Sequence, residues 1–122
     1  MDGRNFEFDF EKLKVYQKSL DFIHKMFEIY RKLLRDFKHS LGDNLIRAGV
    51  SIANNIAEGS GKKSKKEKAR YYGTSLDSAR ECISVFNVLF HEGFMEKDSY
   101  KMMRFDGREI TSMLSGLINS LE

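Results

Sequence analysis

Proline is missing from all 122 residues, where average usage of about 5% would place roughly six. A Pro-rich linker, a polyproline ligand and a collagen-like repeat are thereby excluded. β-rich domains usually set some Pro at turns and edges, so its absence favours an all-helical chain. Cysteine is nearly as scarce. Cys82 stands alone, has no partner for an intramolecular disulfide, and fits a reducing compartment. No apolar run approaches the roughly 18 residues of a membrane helix. The segment Met1 to Asp9 lacks the apolar stretch of a signal peptide. These absences lead to the expectation of a cytoplasmic protein with no membrane partner.

What is present is globular in composition: 41% hydrophobic and 32% charged residues, too apolar for a disordered chain. The length suits one domain over residues 1–122, because two separate cores of half that size would each be marginal. Lys and Arg number 21 against 18 Asp and Glu, a formal net charge of +3. That excess is too small to establish nucleic-acid binding by itself.

Periodicity predicts four helices, over residues 10–36, 41–59, 65–92 and 98–121. The first carries the seam Leu13, Tyr16, Leu20, Ile23, Phe27, Tyr30 and Leu34, with steps alternating between three and four. A second seam, Val15, Phe22, Met26, Ile29 and Leu33, runs beside it. Either both fill one broad core stripe, or one faces a neighbouring subunit. Ser40 is the expected cap of the second helix, with Asp43 in the capping-box position. That helix is rich in small residues (Ala48, Gly49, Ser51, Ala53, Ala57), which permit close approach of a neighbour. Gly59 and Gly61 are expected to end it in the left-handed conformation. Ser64 and Glu67 form a Ser-x-x-Glu capping box for the third helix, and Gly93-Phe94 suits a Schellman stop. Short loops make sequential helices antiparallel neighbours, giving an all-α, antiparallel up-down-up-down four-helix bundle. Phe6, Phe8 and Phe10 alternate like a short arm that packs on the bundle or on a neighbour.

Catalytic chemistry finds little support. His24, His39 and His91 share no metal-type spacing, and the paired Glu-x-x-His motifs of di-iron bundles are absent. Cys82 has no zinc-type partner and no evident base. The segment Glu58 to Ser64 fails as a phosphate loop, because Ile56 and Lys63 stand where Gly and Ser/Thr are required. No enzyme activity, metal or cofactor is expected.

Two constellations remain. Lys62, Lys63, Lys65, Lys66, Lys68 and Arg70 crowd the start of the third helix, where free amides already favour anions. They suit phosphate backbones, with Tyr71 and Tyr72 placed to stack on bases, or they make a solvated turn with the tyrosines in the core. Arg47, Ser51, Asn54, Asn55 and Glu58 lie mostly along one side of the second helix and look partly buried. They form a ligand site, or a network that fixes helix register with partners such as Arg80 or Glu81.

The run Arg47-Ala48-Gly49-Val50-Ser51-Ile52-Ala53-Asn54-Asn55-Ile56-Ala57-Glu58-Gly59 closely resembles the RA-x-SI-x-NIAEG signature of 23S rRNA intervening-sequence proteins. Phe10, Leu13, Val15, Tyr16 and Gln17 resemble that family's opening motif, and Glu67, Tyr71, Ser78 and Glu81 its later pattern. Departures are Ala53 and Asn54 where the family often has Pro, and Asp77 where it often has Gly. The resemblance implies a small bundle assembled into a cyclic homo-oligomer, typically a homopentamer. A similar bundle is the accessory protein of diversity-generating retroelements, where a basic pentamer engages a reverse transcriptase and nucleic acid. On this reading the six basic residues contact RNA or DNA phosphates. Arg47, Ser51, Asn55, Glu58, Ser78 and Glu81 then hold a polar network or interface. The alternative is a protein-binding scaffold with no direct nucleic-acid role.

Overall fold

Residues 7–122 are described by a computed structural model. Four long helices account for most of them, and no strand occurs among the described residues: α1 (Lys14–Lys32), α3 (Asp43–Ser60), α4 (Lys65–His91) and α5 (Lys97–Asn119). A short α2 (Arg35–Phe37) continues through one wide π-type turn, Lys38–Gly42, into α3. α1 packs chiefly on α3 and α5, α3 on α4, and α4 on α5.

The second seam of α1 is the more deeply buried, although Ile29 in it, like Leu13 and Tyr16 of the first, is only partly buried against the core. Val15, Phe22, Met26 and Leu33 are buried, whereas Leu20, Ile23 and Phe27 are only half-buried and Leu34 is 65% exposed. The core facing them comprises Leu45, Ile52 and Ile56 of α3, Phe86 and Leu89 of α4, and Met103, Ile110 and Leu114 of α5. Phe22 meets Phe86 edge to face at 6.1 Å. Full burial of each such side chain stabilises the fold by about 1.5–3 kcal/mol.

The first helix differs from the expectation at both ends. Its first turn is a separate 3₁₀ turn, Asp9–Lys12, closed where the Phe8 amide donates to Glu11 Oε1 at 2.9 Å. Phe10 of the expected arm packs on Tyr16 at 5.0 Å, and Phe8 is exposed; Phe6 lies outside the described residues. At the other end α1 stops at Lys32, because Leu33 and Leu34 both turn extended (ψ 145° and 146°). The bend drives Leu33 into the core and sends Leu34 outward. Ser40 does not cap α3; it lies inside the continuous winding from Arg35, and its hydroxyl faces Phe37 O at 3.4 Å. Tyr30 ties the two segments together by donating to Asp43 Oδ1 at 3.0 Å, and that carboxylate keeps the phenol above its ordinary pKa.

Two other helix ends follow their sequence signals. Ser64 Oγ accepts from the Glu67 amide at 3.1 Å, capping α4, although the return bond from the Glu67 side chain that would complete the expected capping box is not among the hydrogen bonds of the described residues. Gly93 takes φ +82°, with its amide on Phe90 O and the Phe94 amide on Leu89 O, the paired bonds of a Schellman stop. Gly61 does not follow its expectation: φ is −84°, so α3 ends without a left-handed residue. Gly59 is helical, and its role is proximity. A Cβ there would stand 2.9 Å from the Tyr72 ring.

Candidate nucleic-acid interface

α3 ends and α4 begins at the same end of the molecule, and the junction carries the basic cluster. The six residues divide by what they touch. Lys68 Nζ donates to Ser60 O at 2.8 Å, so this ammonium closes one of the free carbonyls at the end of α3. Lys62 lies 5.0 Å above the Tyr71 ring and 3.8 Å from Glu58 Oε2. Arg70 covers the same ring at 4.9 Å. Lys63, Lys65 and Lys66 are exposed and, among the described residues, form no ion pair. The Ser64 cap fixes the backbone between them, so three cations surround a helix N-terminus whose dipole adds positive potential.

The tyrosines do not stack outward. Tyr72 is 5% exposed, and burial raises its phenol pKa. Tyr71 is half-buried and lies against Lys62 and Arg70. Base stacking at this turn is therefore closed to Tyr72, and the cations engage the ring of Tyr71.

The polar residues of α3 form two small arrangements. Arg47 Nη2 donates to Glu81 Oε2 at 2.8 Å and also to Asn44 Oδ1. Ser51 and Ser78 share a hydrogen bond at 2.8 Å, and Asn55 Nδ2 donates back to Ser51 O and Oγ. Contrary to the sequence expectation, Arg47 is 65% and Glu58 62% exposed, Asn54 is exposed, and Glu58 turns to Lys62 rather than to α4. No buried side-chain nitrogen or oxygen among the described residues lacks a partner, so the buried part of this group, around Ser51 and Ser78, holds no unspent donor. The Arg47–Glu81 and Ser51–Ser78 contacts join α3 to α4.

The remaining candidates stay apart. His24 faces Glu28 at 3.7 Å and His39 faces Asp43 at 3.8 Å, both on the surface. No group of three or more His, Cys, Asp or Glu side chains comes together among the described residues. Cys82 is fully buried, and desolvation pushes its thiol up to about 12. Two features escaped the sequence reading. Asp106 is 8% exposed and meets Lys25 at 2.7 Å and Lys18 at 3.8 Å. Arg80, Arg104 and Arg108 line one groove between α4 and α5.

Fold and site together define an all-helical protein with a satisfied polar seam and a lysine-rich turn at one end. Residues 11–116 match the family described as 23S rRNA-intervening sequence protein, and the chain belongs to that family. Its fold is similar to that of a protein of unknown function from the S23 ribosomal protein family of Bacteroides thetaiotaomicron. The TM-score is 0.80 at 24% sequence identity, with 85% of this chain and 97% of that chain covered. No curated protein matches this chain. No helix among the described residues is long and apolar enough to cross a membrane.

Proposed function

We propose that this protein is a non-enzymatic, ring-forming helical bundle that binds the phosphate backbone of RNA through its basic turn, in the cytoplasm. The carrying observation is the exposure of Lys63, Lys65 and Lys66 around the capped N-terminus of α4, without carboxylate partners among the described residues. Lysine ammoniums on flexible stems suit sequence-independent phosphate contacts. Arg70 and Lys62 add charge on the flank, and Lys68 contributes field while holding Ser60. The proposed arrangement is antiparallel, up-down-up-down. The pairs Arg47–Glu81, Ser51–Ser78 and Ile52–Ser75, which step down α4 as they step up α3, support it. The half-buried seam of Leu20, Ile23 and Phe27 on α1, with Val50 exposed on α3, supports a subunit interface. A cyclic homopentamer would repeat the turn and multiply its binding groups.

RNA affinity measured against salt tests the reading. Changing all six basic residues to Gln should weaken binding and flatten the salt slope. Binding that is salt-independent, or unchanged in that variant, sinks the proposal. Sedimentation showing a stable monomer at micromolar concentration removes the ring.

A second reading is a protein-binding scaffold, such as an accessory subunit of a reverse transcriptase. It is favoured by a cavity of about 690 Å³ near the C-terminal end of α4, rimmed by exposed Leu34, Phe94 and Met102. A pull-down that keeps one protein partner after nuclease treatment would support it; loss of every partner would count against it.

A further inference from the structure

A groove of about 660 Å³ runs between α4 and α5, away from the lysine turn. Helical spacing brings Arg80, Ser84 and Asn87 to it from α4, and Arg104 and Arg108 from α5. A Cβ at Gly107 would stand 2.5 Å from Ile83 Cδ1, so the helices meet closely at that point, and the arginines of both border the groove there. None of the lining side chains is acidic. The nearby Glu109 is turned toward Lys18, at 3.2 Å.

One of the arginines, Arg104, is held in place by its neighbours. Asn87 Oδ1 accepts from Arg104 Nη1 at 2.9 Å and from Tyr100 Oη at 2.7 Å, and the Tyr100 ring is stacked on Phe90 at 4.1 Å. One guanidinium N–H is spent on this anchor, and the rest of the fork stays available. Arg80 and Arg108 form no ion pair among the described residues. Phe105, on the same rim, is 64% exposed, an apolar ring with little packing role in the subunit. Planar guanidinium forks match phosphate oxygens, and an exposed aromatic face stacks on an unpaired base.

We propose that this groove is a binding site for a single-stranded RNA segment, with Arg80, Arg104 and Arg108 on successive phosphates and Phe105 stacked on a base. It takes its ligand class from the RNA-binding reading above, but on residues separate from the turn. A duplex keeps its bases stacked inside and offers Phe105 nothing. Arg70 and Arg80 are both exposed on α4, ten residues apart and therefore about 15 Å apart along its axis at 1.5 Å per residue, so one strand wrapping part-way round the helix can run from the turn to the groove.

Fluorescence anisotropy with a labelled oligouridylate and an RNA duplex of equal length tests this. The proteins are the wild type, K63Q/K65Q/K66Q, R80Q/R104Q/R108Q and Phe105→Leu; circular dichroism confirms that each variant is folded. The groove variant should bind oligouridylate at least about tenfold more weakly and reduce the salt slope by about 2, at roughly 0.7 for each phosphate left without its arginine. Phe105→Leu should lose about five- to tenfold on the single strand, the lower range for one stacked base, leaving the salt slope and the duplex unchanged. Wild-type affinity in both groove variants, with loss in the lysine variant, overturns the groove and leaves the turn standing. Loss in the groove variants alone overturns the turn and supports the groove. A wild type that binds neither RNA overturns both.

Discussion

The Lys25 ammonium lies 2.7 Å from a carboxylate oxygen of Asp106, joining α1 to α5 across 81 positions of sequence. Asp106 is nearly buried, and among the described residues its second oxygen is paired with Lys18 alone, at 3.8 Å. Removing one partner leaves a carboxylate with reduced compensation in a poorly hydrated place. A fully buried pair broken this way costs about 3–5 kcal/mol. Here Lys25 is 36% exposed, so solvent screens the loss. Lys25→Met should therefore destabilise by about 1–3 kcal/mol in urea titration, and the conservative Asp106→Asn by less than Asp106→Ala. No change in midpoint for Lys25→Met would show that Lys18 and water suffice.

The α3–α4 seam predicts a contrast between its exposed and buried halves. The Arg47–Glu81 pair has 65% and 40% of its side-chain surfaces in solvent. Arg47→Ala should cost no more than about 1 kcal/mol, as exposed pairs do. Ser78 is 8% exposed and fits against Ser51. Ser78→Leu forces extra atoms between two close helices and should cost about 1–3 kcal/mol. Thermal denaturation of both variants checks the order; an Arg47→Ala loss exceeding that of Ser78→Leu reverses the assignment.

How much of this was legible in sequence depends on whether the signal was local. The Ser64 cap and the Gly93 stop are short-range hydrogen-bond patterns, and each forms where its motif stands. The end of α1 was illegible because Leu34 continues the apolar period that Leu13 begins, and Leu is a good helix former. Nothing nearby marks the extended turn at Leu33 and Leu34, which packing decides. Periodicity found both seams of α1 but could not rank them, since ranking needs the partner helices. Likewise the cluster at Lys62–Arg70 was visible as charge, while the diversion of Lys68 to Ser60 O was not. The arginine groove escaped because its members come from two helices and cluster in neither.

Glycines inside the helices should respond oppositely to one added methyl group. At Gly59 a Cβ would stand 2.9 Å from Tyr72 Cε1 and 3.0 Å from Tyr71 Cβ, and the buried Tyr72 ring has little room to retreat. Overpacking of about 1–3 kcal/mol then outweighs a helix-propensity gain of about 1 kcal/mol. At Gly73 nothing lies within 4 Å, so Gly73→Ala should stabilise by about 0.5–1 kcal/mol. Melting temperatures should fall for Gly59→Ala and rise for Gly73→Ala; equal shifts would mean that Tyr72 yields.

Cys82 should report on folding through both reactivity and alkaline pH. Its thiol is fully buried among core side chains, and desolvation, with a smaller push from Glu81, moves it from an ordinary 9.0 up to about 12. A protonated, inaccessible thiol is a poor nucleophile, so a disulfide reagent at about pH 8 should label the folded protein far more slowly than the urea-unfolded chain. The same shift couples to stability. Well below pH 9 both states hold the proton and the thiol's contribution is constant. Between pH 9 and about 12 only the unfolded chain releases it, so stability falls as pH rises, with a slope approaching about 1.4 kcal/mol per pH unit for one proton. Tyr72, also raised by burial, adds to the fall only above its ordinary 10.0. Cys82→Ala removes the thiol's share, and its stability should decline less steeply from about pH 8.5 to about pH 10, measured against wild type by urea titration. Identical slopes in the two proteins would place the thiol in contact with water.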